Sequence, residues 1–292
     1  MNIRNHGIDV VPASGGVGAE IAGVDLRETM PDALYADIRQ ALNDHGVIFF
    51  RGQDLSPEQH IAFAARFGTI NISRFLGHAP GYPMIAEVRK EPEQKNNIGG
   101  GWHTDHSYDE APALGSILLA RELPDYGGDT LFANMATAYE TLSDGLKQTL
   151  EGLRAVHSNR HVFGAARTAQ RRDSDSIKSM KNTENAVQDA VHPVVIRHPE
   201  SGRKVLYVNP TYTVRFDGWT EQESAPLLAF LYAHAVRPEF TCRFQWEPGS
   251  IAFWDNRGVW HYAVNDYQGE RRLMHRITVE GVPLPPARQS AG

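Results

Sequence analysis

The 292-residue chain contains a single cysteine, Cys242, and this scarcity excludes several kinds of site. One thiol permits neither an intrachain disulfide nor a cysteine-rich metal site. Any bound metal must therefore be held mainly by histidine nitrogen and carboxylate oxygen. Histidine is plentiful by contrast, with 13 residues.

The chain also lacks a surplus of basic residues. Its 29 Lys and Arg stand against 35 Asp and Glu, which gives a formal net charge of -6. A nucleic-acid-binding protein normally has a basic balance. We therefore expect no nucleic-acid partner.

Long apolar runs are missing as well. The longest, residues 226–236, is far shorter than the roughly 20 residues that cross a bilayer. Residues 1–14 lack the apolar core of a signal peptide. With so few thiols, this pattern predicts a cytoplasmic protein without a membrane partner.

The composition still supports a folded core, since 41% of the residues are hydrophobic. No fixed-period repeat is visible, and we expect one domain over residues 1–292. No phosphate-binding glycine loop follows a predicted strand, so a Rossmann sheet is disfavoured. Seven short β-rich runs favour a sandwich or barrel instead, namely residues 116–120, 130–133, 191–197, 204–208, 242–246, 251–254 and 271–279.

Helices and loops are predicted between these strands. Helical spacing and capping signals predict helices over residues 34–45, 56–67, 137–153 and 220–235, the last beginning at either Thr220 or Ser224. The polar segments 89–101 and 163–190 are predicted loops. The longer one is interpreted as a lid, with a tolerated surface insertion as the alternative.

The first candidate site is the sequence Trp102-His103-Thr104-Asp105. In an extended strand, residues i and i+2 point to the same face, so His103 and Asp105 could offer nitrogen and oxygen to one metal ion. The same motif also occurs by chance as a hydrogen-bonded surface pair.

The second candidate site lies near the carboxyl terminus, where His261 precedes Arg272 and Arg276. As a strand, residues 271–279 place both arginines on one face and apolar residues on the other. Arginine forks suit carboxylate, sulfate or phosphate, so this face could bind an anion, although exposed arginines on a solvated face are a simpler explanation.

Together, His103, Asp105 and His261 form a two-histidine, one-carboxylate set, as in non-haem Fe(II) oxygenases. Thr130 and Arg272 complete an ordered set that resembles the Fe(II)/2-oxoglutarate-dependent taurine dioxygenase (TauD/TfdA) family. The resemblance runs nearly end to end and includes residues 18–26, 50–51, 66–68 and 254–257. It implies a double-stranded β-helix, or jelly roll, with flanking helices.

The resemblance also implies roles for individual residues. Fe(II) would be bound by His103, Asp105 and His261. The co-substrate 2-oxoglutarate would fill two of the three remaining coordination positions and O2 the last, with succinate and CO2 as products. Arg272 and Thr130 would hold the distal carboxylate of 2-oxoglutarate.

The substrate implied by the resemblance is a small organic anion held by Arg276. Sulfonates, alkyl sulfates and aryloxyalkanoates are the expected classes, oxidised by hydroxylation with C–O or C–S cleavage as a further outcome. Taurine itself is disfavoured, because residues 69–77 lack the histidine that the taurine enzyme uses. Four more residues are candidate substrate contacts, with ordinary packing as the alternative, namely His106, Ser73, Tyr108 and Phe163.

Residues 160–170 and 201–208 resemble the phenoxypropionate dioxygenases most, which favours an aryloxyalkanoate. Family members usually associate, so a homo-oligomer is expected. Two other functions stay open at this point: a zinc-dependent hydrolase on a jelly roll, and a non-catalytic protein that binds an anion.

Overall fold

The computed structural model describes residues 3–5, 7–163 and 188–287 of the chain. Its helices are α1 (Asp32–His45), α2 (Pro57–Ala65), α3 (Met135–Glu140), α4 (Asp144–Glu151), α5 (Arg160–Phe163) and α6 (Glu221–Ala235), with a 3₁₀ turn at Pro238–Phe240. Its strands are β1 (Ile3–Asn5), β2 (Ile8–Pro12), β3 (Ala19–Ala22), β4 (Val47–Phe50), β5 (Ile70–Asn71), β6 (His78–Ala79), β7 (Tyr82–Lys90), β8 (Gly115–Glu122), β9 (Thr130–Asn134), β10 (Arg154–Ser158), β11 (Asp189–Pro193), β12 (Val195–Arg197), β13 (Lys204–Leu206), β14 (Thr213–Phe216), β15 (Thr241–Phe244), β16 (Ile251–Asp255), β17 (Val259–Ala263) and β18 (Arg272–Val279).

Two facing sheets build the centre of the fold. The larger sheet has the order β1-β2-β3-β4-β16-β8-β18-β7-β6, with β5 beside β18, and only β3 and β4 run parallel. The smaller sheet has the order β15-β9-β17. Two further small sheets, β11-β10-β14 and β12-β13, lie outside this pair.

Apolar side chains from both sheets meet in one buried cluster, which shows that the sheets pack face to face. Its members include Phe49 on β4, Leu118 on β8 and Met274 on β18, together with Phe132 on β9 and Phe244 on β15. This arrangement is the predicted double-stranded β-helix.

Strand β18 divides its residues between two environments. Ile277 and Val279 join the core that packs the large sheet against α1 and α2. Met274 joins the cluster between the sheets. Arg272 and Arg276 alternate in step with Met274, so both point into the space between the sheets. The predicted split of this strand into an arginine face and an apolar face is confirmed.

The helix predicted over 137–153 is wrong as one element, because the chain forms α3 and α4 there. Asn134 caps α3 by accepting from the backbone N–H groups of Ala136 and Thr137. Near the end of α3, the Thr141 hydroxyl donates back to the Thr137 carbonyl. The next helix, α4, then begins with Ser143 as its N-cap residue.

The remaining predicted elements match with small changes. Helix α6 begins with the Thr220–Glu223 capping box, not at Ser224. The run 191–197 is interrupted at Val194, between β11 and β12, and the loop predicted from residue 89 begins only after β7. Residues 164–187, most of the predicted lid, lie outside the described residues. Within the described part, no helix is both long and apolar enough to cross a membrane.

Candidate active site

His103 and His261 are far apart in the sequence but are joined by backbone hydrogen bonds. The His103 N–H donates to the His261 carbonyl at 3.1 Å, and the His261 N–H donates back to the His103 carbonyl at 2.8 Å. His261 is fixed on β17, and its bridge to His103 brings the two ring centroids within 4.0 Å. The backbone pairing therefore sets the separation of the two imidazoles.

The ring of His103 has a fixed orientation. Its Nδ1 lies 2.7 Å from the Gly101 carbonyl oxygen, so Nδ1 carries the donated hydrogen. The other nitrogen, Nε2, then has a free lone pair and lies 3.7 Å from Asp105 Oδ1. Gly99 permits this approach, because a Cβ there would lie 3.3 Å from the His103 ring and its φ is +83°.

Asp105 completes the group, although the predicted strand geometry is wrong. His103 forms only an isolated bridge and Asp105 lies in the turn that follows. The Asp105 Oδ2 atom is 3.9 Å from His261 Nε2, and ligand atoms of all three side chains lie within 4.8 Å of one another. Two imidazole nitrogens and one carboxylate oxygen are the donor set of non-haem Fe(II) sites, so the residues fit that metal.

The electrostatics of the group favour metal ligation. Burial alone would raise the pKa of Asp105, but the Arg276 guanidinium beside it holds the pKa well below its usual range. Burial lowers the pKa of His103, and it lowers the pKa of His261 more strongly. An ionised carboxylate and neutral imidazoles are the protonation states that a metal requires.

Arg272 lies deep between the sheets, with 4% of its surface exposed. Its Nε and Nη2 have no hydrogen-bond partner among the described residues, and burial lowers its pKa. The guanidinium lies over the Trp246 ring at 5.7 Å, and Trp246 Nε1 donates to Thr130 Oγ1 at 3.0 Å. Thr130 and Arg272, predicted as a pair, are thus brought to the same indole, which sequence reasoning missed.

A cavity of about 860 Å³ opens beside His103 and Asp105. Among the described residues, its lining includes His103, Asp105 and every predicted substrate contact, namely Arg276, His106, Ser73, Tyr108 and Phe163. Arg272 and Thr130 do not line it. The cavity has the size of a pocket for a small organic molecule.

One wall of this cavity is aromatic. Phe75 and Phe163 stack with centroids 4.5 Å apart and an interplanar angle of 9°. Tyr108 packs edge-on against Phe163 and Tyr212. We call Phe75, Tyr108, Phe163 and Tyr212 the aromatic wall.

His106 has an unusual backbone. Its φ is +60°, a left-handed value found at no other non-glycine position among the described residues. Its Nδ1 lies 2.8 Å from Asp109 Oδ2, while His192 Nε2 bonds the carbonyls of Ser107 and Asp109. Backbone strain of this kind persists only where neighbours enforce it, and it is common in ligand sites.

Polar residues around Asp105 were missed in the sequence. Ser116 donates to Asp105 Oδ2 at 2.9 Å, and Asn256 joins Ser116 to the Asp105 backbone. Asn256 belongs to the segment 254–257 that carries part of the family resemblance, but the serine in the apolar run 116–120 gave no signal.

A jelly roll with a buried histidine, aspartate and histidine triad defines a non-haem iron oxygenase site. Residues 9–278 match the sequence model of the "Taurine catabolism dioxygenase TauD, TfdA family". The chain belongs to this family and is an Fe(II)- and 2-oxoglutarate-dependent dioxygenase, with the iron site at the triad.

Three similar proteins illustrate the relationship. The alkylsulfatase of Acinetobacter baylyi is 37% identical over 270 residues, covering 92% of this chain and 83% of the relative. The alpha-ketoglutarate-dependent sulfate ester dioxygenase of Pseudomonas putida is 36% identical, covering 95% and 91%. The crystal structure of a taurine dioxygenase from Burkholderia xenovorans superposes with a TM-score of 0.81 at 39% identity, covering 97% and 95%.

Proposed function

We propose that this dioxygenase oxidises an organic anion with an apolar tail, and that a sulfate ester or sulfonate is the preferred substrate. The observation that carries the proposal is the pair of arginines on the inner face of β18, of which Arg272 is buried and Arg276 is partly buried. Among the described residues, nothing accepts from the N–H groups at Nε and Nη2 of Arg272 or at Nε of Arg276. Unpaired buried donors of this kind are costly unless a ligand accepts from them.

The two arginines define two separate anion sites. Positions 272 and 276 are four residues apart, or about 13 Å along a strand. Arg272 is 4% exposed and does not line the cavity, whereas Arg276 lines it. We assign the closed site to the distal carboxylate of 2-oxoglutarate and the open site to the substrate anion.

Thr130 is suited to assist Arg272. Its oxygen accepts from Trp246, which leaves the threonine hydrogen to donate to a carboxylate. The Arg272 guanidinium is also held in place by the Trp246 ring that it lies over. This end of the site therefore offers a fixed, charge-assisted carboxylate cradle.

Arg276 is suited to orient the substrate. Its Nη1 donates to both Asp105 oxygens, at 3.2 and 3.3 Å, which fixes the guanidinium beside the metal ligand. The Nε donor is left for a substrate oxygen. An anion bound there would place its neighbouring carbon next to the iron site, where bound iron supplies C–H oxidation coupled to decarboxylation of 2-oxoglutarate to succinate and CO2.

The rest of the cavity supports a substrate with an apolar tail. Tyr108 and Phe163 would contact that tail, while Ser73 and His106 would offer polar contacts. Hydroxylation of the carbon that bears a sulfate gives an unstable product, which releases sulfate and an aldehyde. The two sulfate-ester relatives, at 37% and 36% identity, support this class.

The aromatic wall favours a second substrate class. Stacked rings at 4.5 Å suit an aryl group, as in the aryloxyalkanoates of the phenoxypropionate dioxygenases. Taurine offers no tail to this wall and is expected to be a poor substrate.

The test is a substrate panel with purified protein, Fe(II), ascorbate, O2 and 2-oxoglutarate. The panel contains hexyl sulfate, hexanesulfonate, 2-phenoxypropionate, taurine and the neutral control hexanol, and the readouts are succinate and released sulfate. With hexyl sulfate, we expect succinate and sulfate to form in equal amounts. With hexanol, we expect only background succinate. Background succinate with every anion would contradict the proposal.

The cytoplasmic location, the single domain over 1–292 and the homo-oligomer stay predictions.

A further inference from the structure

Ser116 is a buried polar residue in an otherwise apolar strand. Its side chain is fully buried, and it shares the inner face of β8 with Leu118. The alternating residues Ile117 and Leu119 belong to the core on the helix side. The serine hydroxyl therefore lies in the space between the sheets, beside the metal ligands.

The hydrogen of this hydroxyl has a defined direction. Asn256 Nδ2 donates to Ser116 Oγ at 3.1 Å, so the serine oxygen is already an acceptor. Asn256 is itself oriented, because its Oδ1 accepts from Trp254 Nε1 at 2.9 Å and from the Asp105 N–H at 3.2 Å. The single Ser116 hydrogen is thus left for Asp105 Oδ2, which lies at 2.9 Å.

The two oxygens of Asp105 consequently differ. Each oxygen lies near one imidazole, with Oδ1 at 3.7 Å from His103 Nε2 and Oδ2 at 3.9 Å from His261 Nε2, but Oδ2 also accepts from Ser116. Arg276 contacts both oxygens and does not distinguish them. The serine is the neighbour that makes the carboxylate asymmetric.

We propose that Ser116 is a positioning residue that reserves Oδ1 of Asp105 as the only carboxylate atom to bind the metal. The number of coordination positions gives this role its importance. Three protein ligands leave three positions in an octahedral centre, and 2-oxoglutarate with O2 needs all three. A carboxylate that bound through both oxygens would take one of those positions.

This inference rests on the metal triad and not on the identity of the substrate. Its test is therefore a metal titration without 2-oxoglutarate or substrate, with Co(II) as a redox-stable probe. The variants are Ser116→Ala and a matched control, Ser250→Ala. Ser250 is also a fully buried serine whose hydroxyl makes hydrogen bonds, but with Arg51 and the Glu247 backbone.

We expect Ser116→Ala to weaken Co(II) binding about 10- to 100-fold, the usual effect of losing a partner of a metal ligand. Its ligand-field spectrum should change as the carboxylate gains a second contact. Ser250→Ala should retain the wild-type affinity and spectrum. Circular dichroism and thermal melting check that each variant is folded.

A second pair of variants separates the hydroxyl from the fold. Ser116→Thr keeps the hydroxyl, and Ser116→Val has nearly the same shape without it. We expect Ser116→Thr to bind Co(II) more tightly than Ser116→Val and to have a spectrum like the wild type. This result supports the proposal even if the alanine variant fails to fold. Wild-type affinity and spectrum in folded Ser116→Ala, or equal behaviour of the threonine and valine variants, would overturn it.

Discussion

Arg272 and Arg276 point into the same space from one strand, yet their surroundings are opposite. Arg272 is 4% exposed, forms no ion pair within the described residues and lies over an indole. Arg276 lines an open cavity and pairs with Asp105. A closed cradle suits a co-substrate that never varies, whereas an open pocket with a charged anchor suits a substrate whose tail can differ.

Another buried basic residue, His60, shows what burial alone means. His60 on α2 is fully buried in the helix-side core, and neither ring nitrogen has a hydrogen-bond partner among the described residues. It does not line the cavity beside the metal ligands. An unpaired buried base therefore marks a binding site only where polar neighbours and space for a ligand accompany it.

The largest expected effect comes from removing Asp105, the carboxylate of the metal triad that also pairs with Arg276. Asp105→Ala should lower metal affinity by more than about 100-fold, because a direct ligand matters more than its supporting partners. Isothermal titration with Co(II) and succinate release measure the two consequences. Full activity in this variant would disprove the triad.

Arg272→Gln tests the closed end. A lost charge-assisted contact of about 2–5 kcal/mol should raise the half-saturating concentration of 2-oxoglutarate at least about 30-fold. Arg271→Gln is the control, since that arginine pairs with Glu91 and Glu122 at the edge of the same strand. If both variants behaved alike, Arg272 would not hold the co-substrate.

Phe75→Leu tests the open end. Losing the stack on Phe163 should raise the half-saturating concentration of an aryl substrate about 2- to 10-fold, because aromatic pairs contribute about 0.5–1.5 kcal/mol. An alkyl sulfate of similar length should be affected less, and 2-oxoglutarate not at all. Equal effects on aryl and alkyl substrates would exclude a stacking role.

His60→Leu should leave activity unchanged and alter only stability in acid. Burial, reinforced by His275, lowers the pKa of His60 to about 3. Between pH 6.5 and 3 the unfolded ring takes a proton that the folded ring refuses, so stability falls as the pH drops, by up to about 1.4 kcal/mol per unit. Urea unfolding at pH 7 and pH 5 measures the free energy of unfolding that each protein loses on acidification. This loss should be smaller by about 2 kcal/mol in His60→Leu than in the wild type. The same loss in both proteins would place this titration elsewhere.

The sequence predicts the central parts of this site because they depend on order and alternation. The two faces of β18 follow from a period of two. The order of His103, Asp105, Thr130, His261 and Arg272 is enough to indicate the family. Most short strands are also predictable, since their ends carry turn residues.

Other features depend on contacts between distant parts of the chain. In the His103–Asp105 segment, only His103 pairs with β17 and the chain turns at Asp105, which no local pattern reveals. Ser116 acquires its role only when β8 and β16 place it beside Asn256. The break between α3 and α4 has a local cause instead, because the Thr141 hydroxyl bonds back to the Thr137 carbonyl at the end of α3.

The most direct test of the division between the two arginines is Arg276→Gln, measured against both small molecules. Glutamine keeps a donor for Asp105 but removes the charge. We predict that the half-saturating concentration of the best anionic substrate rises at least about tenfold, while that of 2-oxoglutarate changes less than about threefold. An equal loss for both, or a larger loss for 2-oxoglutarate, would contradict the assignment of the open site to the substrate.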